Sequence, residues 1–231
     1  IDAIKFMQGG GIGKVYMARG LCFKPRLNIG KYPDGPMAAT DPPHAMTVGG
    51  RGDAGPYTTE SLAKVNYDLW IGPAPAKPFN RNRFHYNWHW QWDYGNGDIG
   101  NQGAHQMHAA RFALGVRYPT KISSMGGHYL FDDDQETPNT QVATFEFEDG
   151  GKKKMLVFEV RHWISNNEAG IGERSAPVGG GAAEPMQSIG NIWYGSKGYL
   201  ATAAGGWRSL MGPYLAPGPK SEAGAGVGGV R

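Results

Sequence analysis

Asn101 and His105 stand four residues apart in Gly97-Asp98-Ile99-Gly100-Asn101-Gln102-Gly103-Ala104-His105-Gln106-Met107-His108. On a helix that spacing puts an amide and an imidazole on one face, where both can point into one cleft. Imidazole titrates near neutral pH and shuttles protons, and an amide beside it can hold a substrate hydroxyl or fix the ring. The bland alternative is a helix whose polar side is simply solvated. His105 and His108 are three apart, and His85 and His89 are four apart. Such pairs can supply imidazoles to zinc. Without a His-Glu-x-x-His signature or a cysteine partner, however, the sequence predicts no metal site.

The densest aromatic stretch lies just upstream, Phe84-His85-Tyr86-Asn87-Trp88-His89-Trp90-Gln91-Trp92-Asp93-Tyr94. Its rings suit a stacking platform for sugars or bases, or equally a core-filling segment. The histidines and Asn87 make an all-buried segment awkward. No Gly-x-Gly-x-x-Gly connects a strand to a helix. Gly9-Gly10-Gly11-Ile12-Gly13 follows a helix and precedes a strand, the wrong order for a dinucleotide fingerprint. A Gly-x-Ser-x-Gly elbow and a phosphate-cradling Gly-Lys-Ser/Thr loop are also absent.

Several elements must position these groups. Asp2 to Gln8 reads as the end of a helix stopped by three glycines, and Lys14 to Phe23 reads as a strand. A Pro-, Gly- and Asp-rich excursion runs from Lys24 to Tyr57, a length that is usually functional or mobile. Asn66 to Trp70 suggests a short helical turn, halted at Gly72-Pro73-Ala74-Pro75. Ile99, Gly103, Met107, Ala110 and Leu114 recur at helical spacing, so a single helix is predicted over 97–114, closed at Gly115. Alternation over Gln141–Phe147 and Met155–Val160 predicts a hairpin with a loop somewhat longer than two residues. A second hairpin is predicted around Gly195-Ser196-Lys197-Gly198. The fold class that follows is α+β: one open, largely antiparallel or mixed sheet with helices packed on one face. Residues 1–207 form the predicted domain, and 208–231 read as a mobile Gly-, Ala- and Pro-rich tail.

Composition bounds the function. The 231 residues are 40% hydrophobic and 12% aromatic, which supports a packed core rather than disorder. Net charge is only +3, and the one dense basic run, Lys152-Lys153-Lys154, follows a glycine turn. That reads as a solvated loop, so nucleic-acid binding is not expected. No apolar run approaches the ~20 residues a membrane-spanning helix needs. Cys22 is the only cysteine, which leaves no intramolecular disulfide and no indication of compartment.

The segments Gly9–Arg19, Tyr67–Pro75, Asn82–Trp90, Gly97–His105 and Gly190–Leu200 together resemble the Gfo/Idh/MocA oxidoreductase family. The resemblance spans Ile1 to Leu200, with its motifs in the family's order. It implies a two-domain enzyme in which a Rossmann domain binds NAD or NADP and a C-terminal α/β domain supplies substrate contacts and oligomer surface. This chain resembles only the second. The cofactor fingerprint and a Glu-Lys-Pro motif with its catalytic lysine would precede Ile1, and no tight NAD(P) binding is expected of this chain alone. In the family, an Asp-x-x-x-His helix lies near the nicotinamide and the reacting hydroxyl. Here His105 matches the His, Asn101 stands in place of the Asp, and His108 departs from a position that is often Asp.

The resulting expectation is a substrate-binding and oligomerisation domain of an oxidoreductase acting on a sugar or polyol-like small molecule. His105 is the acid/base candidate and Asn101 holds a substrate hydroxyl. Arg83, His85, Trp88 and His89 line the cleft, and Lys24 and Arg26 enter from the loop after the first strand. The rival readings are a non-catalytic carbohydrate-binding or dimerisation module, and part of an NAD-assisted glycoside hydrolase or lyase. Homo-oligomerisation through the sheet face is expected, with no nucleic-acid or membrane partner.

Overall fold

The computed structural model describes residues 2–36, 66–171, 187–203 and 206–221. Most of the predicted excursion, 37–57, lies outside them. Helix α1 (Asp2–Gln8) ends in the expected glycines and feeds strand β1 (Val15–Lys24). Helix α2 (Tyr67–Ile71) is capped by the Asn66 side chain, which accepts from the Leu69 amide, and stops at Gly72. Two 3-10 turns follow, Arg81–Arg83 and His85–Trp90.

The helix predicted over 97–114 is two pieces, α3 (Gly97–Gly100) and α4 (Gly103–Leu114), joined through Asn101 and Gln102. Asn101 stays in the right-handed helical region, with ψ stretched to −73°. Its amide group bonds back to Asp98 rather than standing free, the kind of local side-chain bond that competes with a continuous helix. Gly115 closes α4 in the left-handed conformation, as anticipated.

The remaining strands are β2 (Lys121–Gly127), β3 (Thr140–Asp149), β4 (Lys152–His162), β5 (Ser188–Gly195), β6 (Gly198–Ala203), β7 (Gly206–Met211) and β8 (Ala216–Lys220). They form one open sheet in the order β2-β3-β4-β1-β5-β6-β7-β8. Only β1 and β4 run parallel; every other neighbour pair is antiparallel. The mixed sheet with helices on one face is as predicted. Two details differ. The β3–β4 turn is only Gly150-Gly151, both at positive φ (55° and 74°), which is the geometry a two-residue hairpin demands and glycine supplies. The stretch from 208, expected as a tail, contributes most of β7 and all of β8. Small and proline-containing strands are tolerated at that edge because, among the described strands, one side of β8 has no partner to satisfy.

Register assigns the faces. Ala18, Gly20, Cys22, Phe158, Val160, Asn191 and Trp193 share the helix side, where α4 lies across β1 and β4. Gly20 permits that approach, because a Cβ there would sit 3.0 Å from Gln106 Cβ and 3.0 Å from Phe158. Three side chains then fasten the helix. Asn191 Nδ2 donates to Gln106 O at 2.8 Å, Trp193 Nε1 to Ala110 O at 3.3 Å, and Lys154 Nζ to Leu114 O at 2.8 Å. The main core lies between these layers, and a smaller one (Leu21, Phe23, Ile171, Ile192, Ala201) sits on the opposite face.

Candidate functional site

Because β1 and β4 are parallel and in register, Lys24 stands opposite His162 at their carboxyl ends. In open sheets ligands gather beyond the carboxyl ends of parallel strands. Arg26 follows two residues later, and the start of α3 drops Asp98 among these three. Gly97 makes that entry at φ 65°, where a side chain would run into Thr137 at 2.9 Å.

Asp98 is the hub. Its fully buried carboxylate accepts from Arg26 Nε and Nη2, both at 3.2 Å, from His162 Nε2 at 3.0 Å and from Asn101 Nδ2 at 3.1 Å. Lys24 Nζ lies 3.9 Å away. Burial opposes ionisation, but the His162 hydrogen bond and the charges of Arg26 and Lys24 outweigh it, so the Asp98 carboxyl is held far below its ordinary range. The Arg26 guanidinium is enclosed by rings, 5.1 Å from Trp90 and 5.3 Å from Tyr86, and donates to the Tyr86 hydroxyl at 2.8 Å. Burial pushes the Lys24 ammonium below its ordinary value; Asp98 offsets part of this and Arg26 adds to it.

The two histidines here are neutral by their contacts. Burial lowers the His162 pKa against the pull of Asp98. Since Nε2–H donates to the carboxylate and buried Nδ1 has no partner, a second proton would be stranded at Nδ1. His89 Nδ1 lies 2.6 Å from the Tyr86 carbonyl, which can only accept, so Nδ1 bears the proton and Nε2 keeps its lone pair. Burial again lowers its pKa, against the Tyr86 carbonyl. The ring is stacked on Trp88 at 3.7 Å and tilted on Tyr86 at 4.4 Å, which fixes its direction.

The expected residues therefore divide. Lys24 and Arg26 are in the cluster, Asn101 is tied to it through Asp98, and His89 with Trp88 borders it. His105 lies exposed on the first turn of α4, and no hydrogen bond joins it to Asn101. Arg83 is elsewhere: it pairs with Asp34 at 2.7 Å and reaches Pro78 O at 3.3 Å. These contacts anchor the segment after β1. The side chain of His85 lies outside the described residues. Asp98, His162, Tyr86 and Trp90 were not singled out from the sequence, although Asp98 falls inside the quoted motif. The available signal was Lys24 and Arg26 themselves, two cations that require an acid if buried.

Among the described residues no group of three or more His, Cys, Asp or Glu is gathered as metal ligands are, and no helix is long and apolar enough to cross a membrane. Among the described residues, the glycine-rich turn Gly9 to Gly13 joins α1 to β1 in helix-to-strand order. The described residues thus do not fit a dinucleotide pyrophosphate, which takes its backbone donors from a strand-to-helix turn.

Residues 51–155 match a family model described as the oxidoreductase family, C-terminal alpha/beta domain, of Gfo/Idh/MocA type. A proposed NADPH-dependent oxidoreductase from Desulfitobacterium hafniense DCB-2 shares the fold at TM-score 0.52 and 12% identity, over 96% of this chain and 46% of its own. A levoglucosan dehydrogenase in complex with NADH does so at TM-score 0.50 and 11% identity, over 96% and 43%. This chain spans less than half the length of either. No curated protein matches it. The matched segment and the mixed open sheet agree: residues 51–155 are similar to the C-terminal alpha/beta domain of the Gfo/Idh/MocA oxidoreductase family, and the chain has the fold of these oxidoreductase structures.

Proposed function

We propose that this chain is the substrate-binding and oligomerisation domain of an NAD(P)-dependent oxidoreductase that acts on a sugar or polyol. NAD or NADP belongs to the complete protein in this reading, with no tight site on this chain. The chain's own work is to hold a polyhydroxylated ring and move one proton. His105, open to solvent at the start of α4, takes the hydroxyl proton on its ring nitrogen. Asn101 spends its N–H on Asp98, so its free carbonyl oxygen accepts from a neighbouring hydroxyl. His89 offers a second acceptor at Nε2, and Trp88 covers its ring.

The observation that carries the reading is the contrast in burial along one short stretch. Asp98 is sealed and paired, while His105, seven residues on, is open. A group that exchanges protons with a substrate needs access, and a group that fixes its neighbours does not. In the complete enzyme, His105→Ala should lower kcat by roughly 10²–10⁴-fold, the scale of a lost acid/base. His108→Ala, one turn further on, should leave kcat nearly unchanged. Equal losses at both positions would refute the assignment.

The sheet face away from α4 supports the oligomer proposal. It exposes Met125, Val142 and Met155 (79%, 40% and 40%) on three adjacent strands. An apolar patch of that kind favours a second sheet across it. Light scattering at tens of micromolar should report a dimer or larger, and a monomeric mass would exclude this role for the face.

A further inference from the structure

A second feature lies beside the Asp98 cluster rather than in it. The segment Trp70–Pro75 and the loop Trp88–Tyr94 enclose an open groove of about 650 Å³, within the ~300–1,000 Å³ usual for small-molecule sites. Its walls are Trp70, Trp88, Tyr94, Pro73 and Pro75, with Asp93 as the charged group. Trp70 and Tyr94 are fixed against each other at 4.9 Å, and Trp70 is backed by Tyr67 at 5.7 Å and 10°. Trp88 has one face covered by His89 and lines the groove.

Asp93 supplies the polar half. It lines the groove and is paired with Lys77, whose ammonium lies against this lining carboxylate. A pyranose needs this combination. The C–H faces of the ring are apolar and electropositive and pack on electron-rich indole faces, while vicinal hydroxyls donate to a carboxylate and accept from an ammonium. A proline-rich peptide would also use the tryptophans, but it would leave the charged pair without a matching partner. Packed rings link the groove to the cluster: Trp88 lines the groove, His89 stacks on Trp88 and tilts on Tyr86, and Arg26 donates to the Tyr86 hydroxyl.

We propose that this groove is a second sugar subsite, so that the ligand is a glycoside or disaccharide whose reacting ring lies at Asn101 and His105 and whose neighbouring ring stacks on Trp88 and Trp70. This rests on the sugar reading above and extends it from a single ring to two. Trp88 is the shared wall and sets the join between the rings.

The test is binding of cellobiose and of glucose to the 231-residue chain without cofactor, followed by tryptophan fluorescence and saturation-transfer NMR. Saturable cellobiose binding at least about fivefold tighter than glucose is expected, with altered tryptophan emission. Asp93→Asn should weaken cellobiose binding roughly tenfold with unchanged circular dichroism, as should Trp88→Ala, while Tyr214→Ala, on the far β7–β8 turn, should not. Three results would overturn the proposal: no saturable cellobiose binding at tens of millimolar, binding indifferent to both groove variants, or preferential binding of a polyproline peptide. The two readings fail separately. A complete enzyme that oxidises a monosaccharide while this chain ignores cellobiose removes the subsite alone. Cellobiose bound here with no effect of His105→Ala on turnover removes the catalytic assignment alone.

Discussion

His162 and His105 are both imidazoles near the same short helix, yet their surroundings are opposite. His162 is fully buried, hydrogen-bonded to a carboxylate on one side and unpartnered on the other. His105 has an exposed side chain and no partner. The first can hardly change its protonation without disturbing a sealed network; the second is open to solvent and held by nothing except its helix. Motif spacing finds residues of the second kind, because they recur at helical intervals. Burial and long-range pairing create residues of the first kind, and spacing is blind to them.

The hardest blow to this contrast is struck at Asp98. Asp98→Ala leaves Arg26 and His162 buried with their shared acceptor gone and Lys24 without its counter-charge. Removing one partner of a buried ionic network usually destabilises by about 3–5 kcal/mol, because the remaining charge stays desolvated. Urea unfolding followed by circular dichroism should show a loss of that size. A loss below about 1 kcal/mol would mean that the cluster is hydrated in solution and that Asp98 is no hub.

How much of this was legible beforehand depended on distance along the chain. The short helical turn from Asn66, the Gly115 stop and both hairpins follow from neighbours a few residues apart. The β3–β4 turn is shorter than expected because Glu148 and Asp149, beyond the alternating stretch that ends at Phe147, still pair with Lys153 and Lys152. β7 and β8 were missed because glycine and proline argue against strands, and here sheet pairing overrides them. The Asp98–His162 bond joins residues 64 apart through the parallel pairing of β1 and β4. No local pattern encodes that pairing. The Arg83–Asp34 pair is as invisible to local pattern, since it joins residues 49 apart.

A second, smaller effect should come from acid. His162 and His89 both have pKa values lowered in the folded state, so folding holds them neutral while the unfolded chain binds protons from about pH 6.5 downward. Their contribution is therefore present above about pH 6.5 and is lost as pH falls from there toward the folded values. Asp98 adds a further loss below its unfolded pKa of about 3.9, because its folded pKa is also depressed. Urea midpoints should fall between pH 8 and pH 5, and His162→Gln should flatten that slope even though it lowers the midpoint throughout. A slope unchanged by His162→Gln would assign the acid sensitivity to other groups.

The smallest effect should fall on His105, and it is the most discriminating. An exposed side chain without a hydrogen bond contributes little to folding, so His105→Ala and His108→Ala should each change stability by less than about 0.5 kcal/mol. Alanine is the better helix former, which makes a slight gain in α4 as reasonable as a slight loss. The urea midpoint of each variant should therefore coincide with that of the parent chain, and the midpoints should respond to pH in parallel, since neither ring enters the buried network. Stability that is silent at both positions, joined to turnover lost at one, separates a proton carrier from a structural histidine. If His105→Ala instead lowers the midpoint as His162 variants do, then His105 packs against something in solution, and its openness to substrate is lost together with the contrast that made it the candidate.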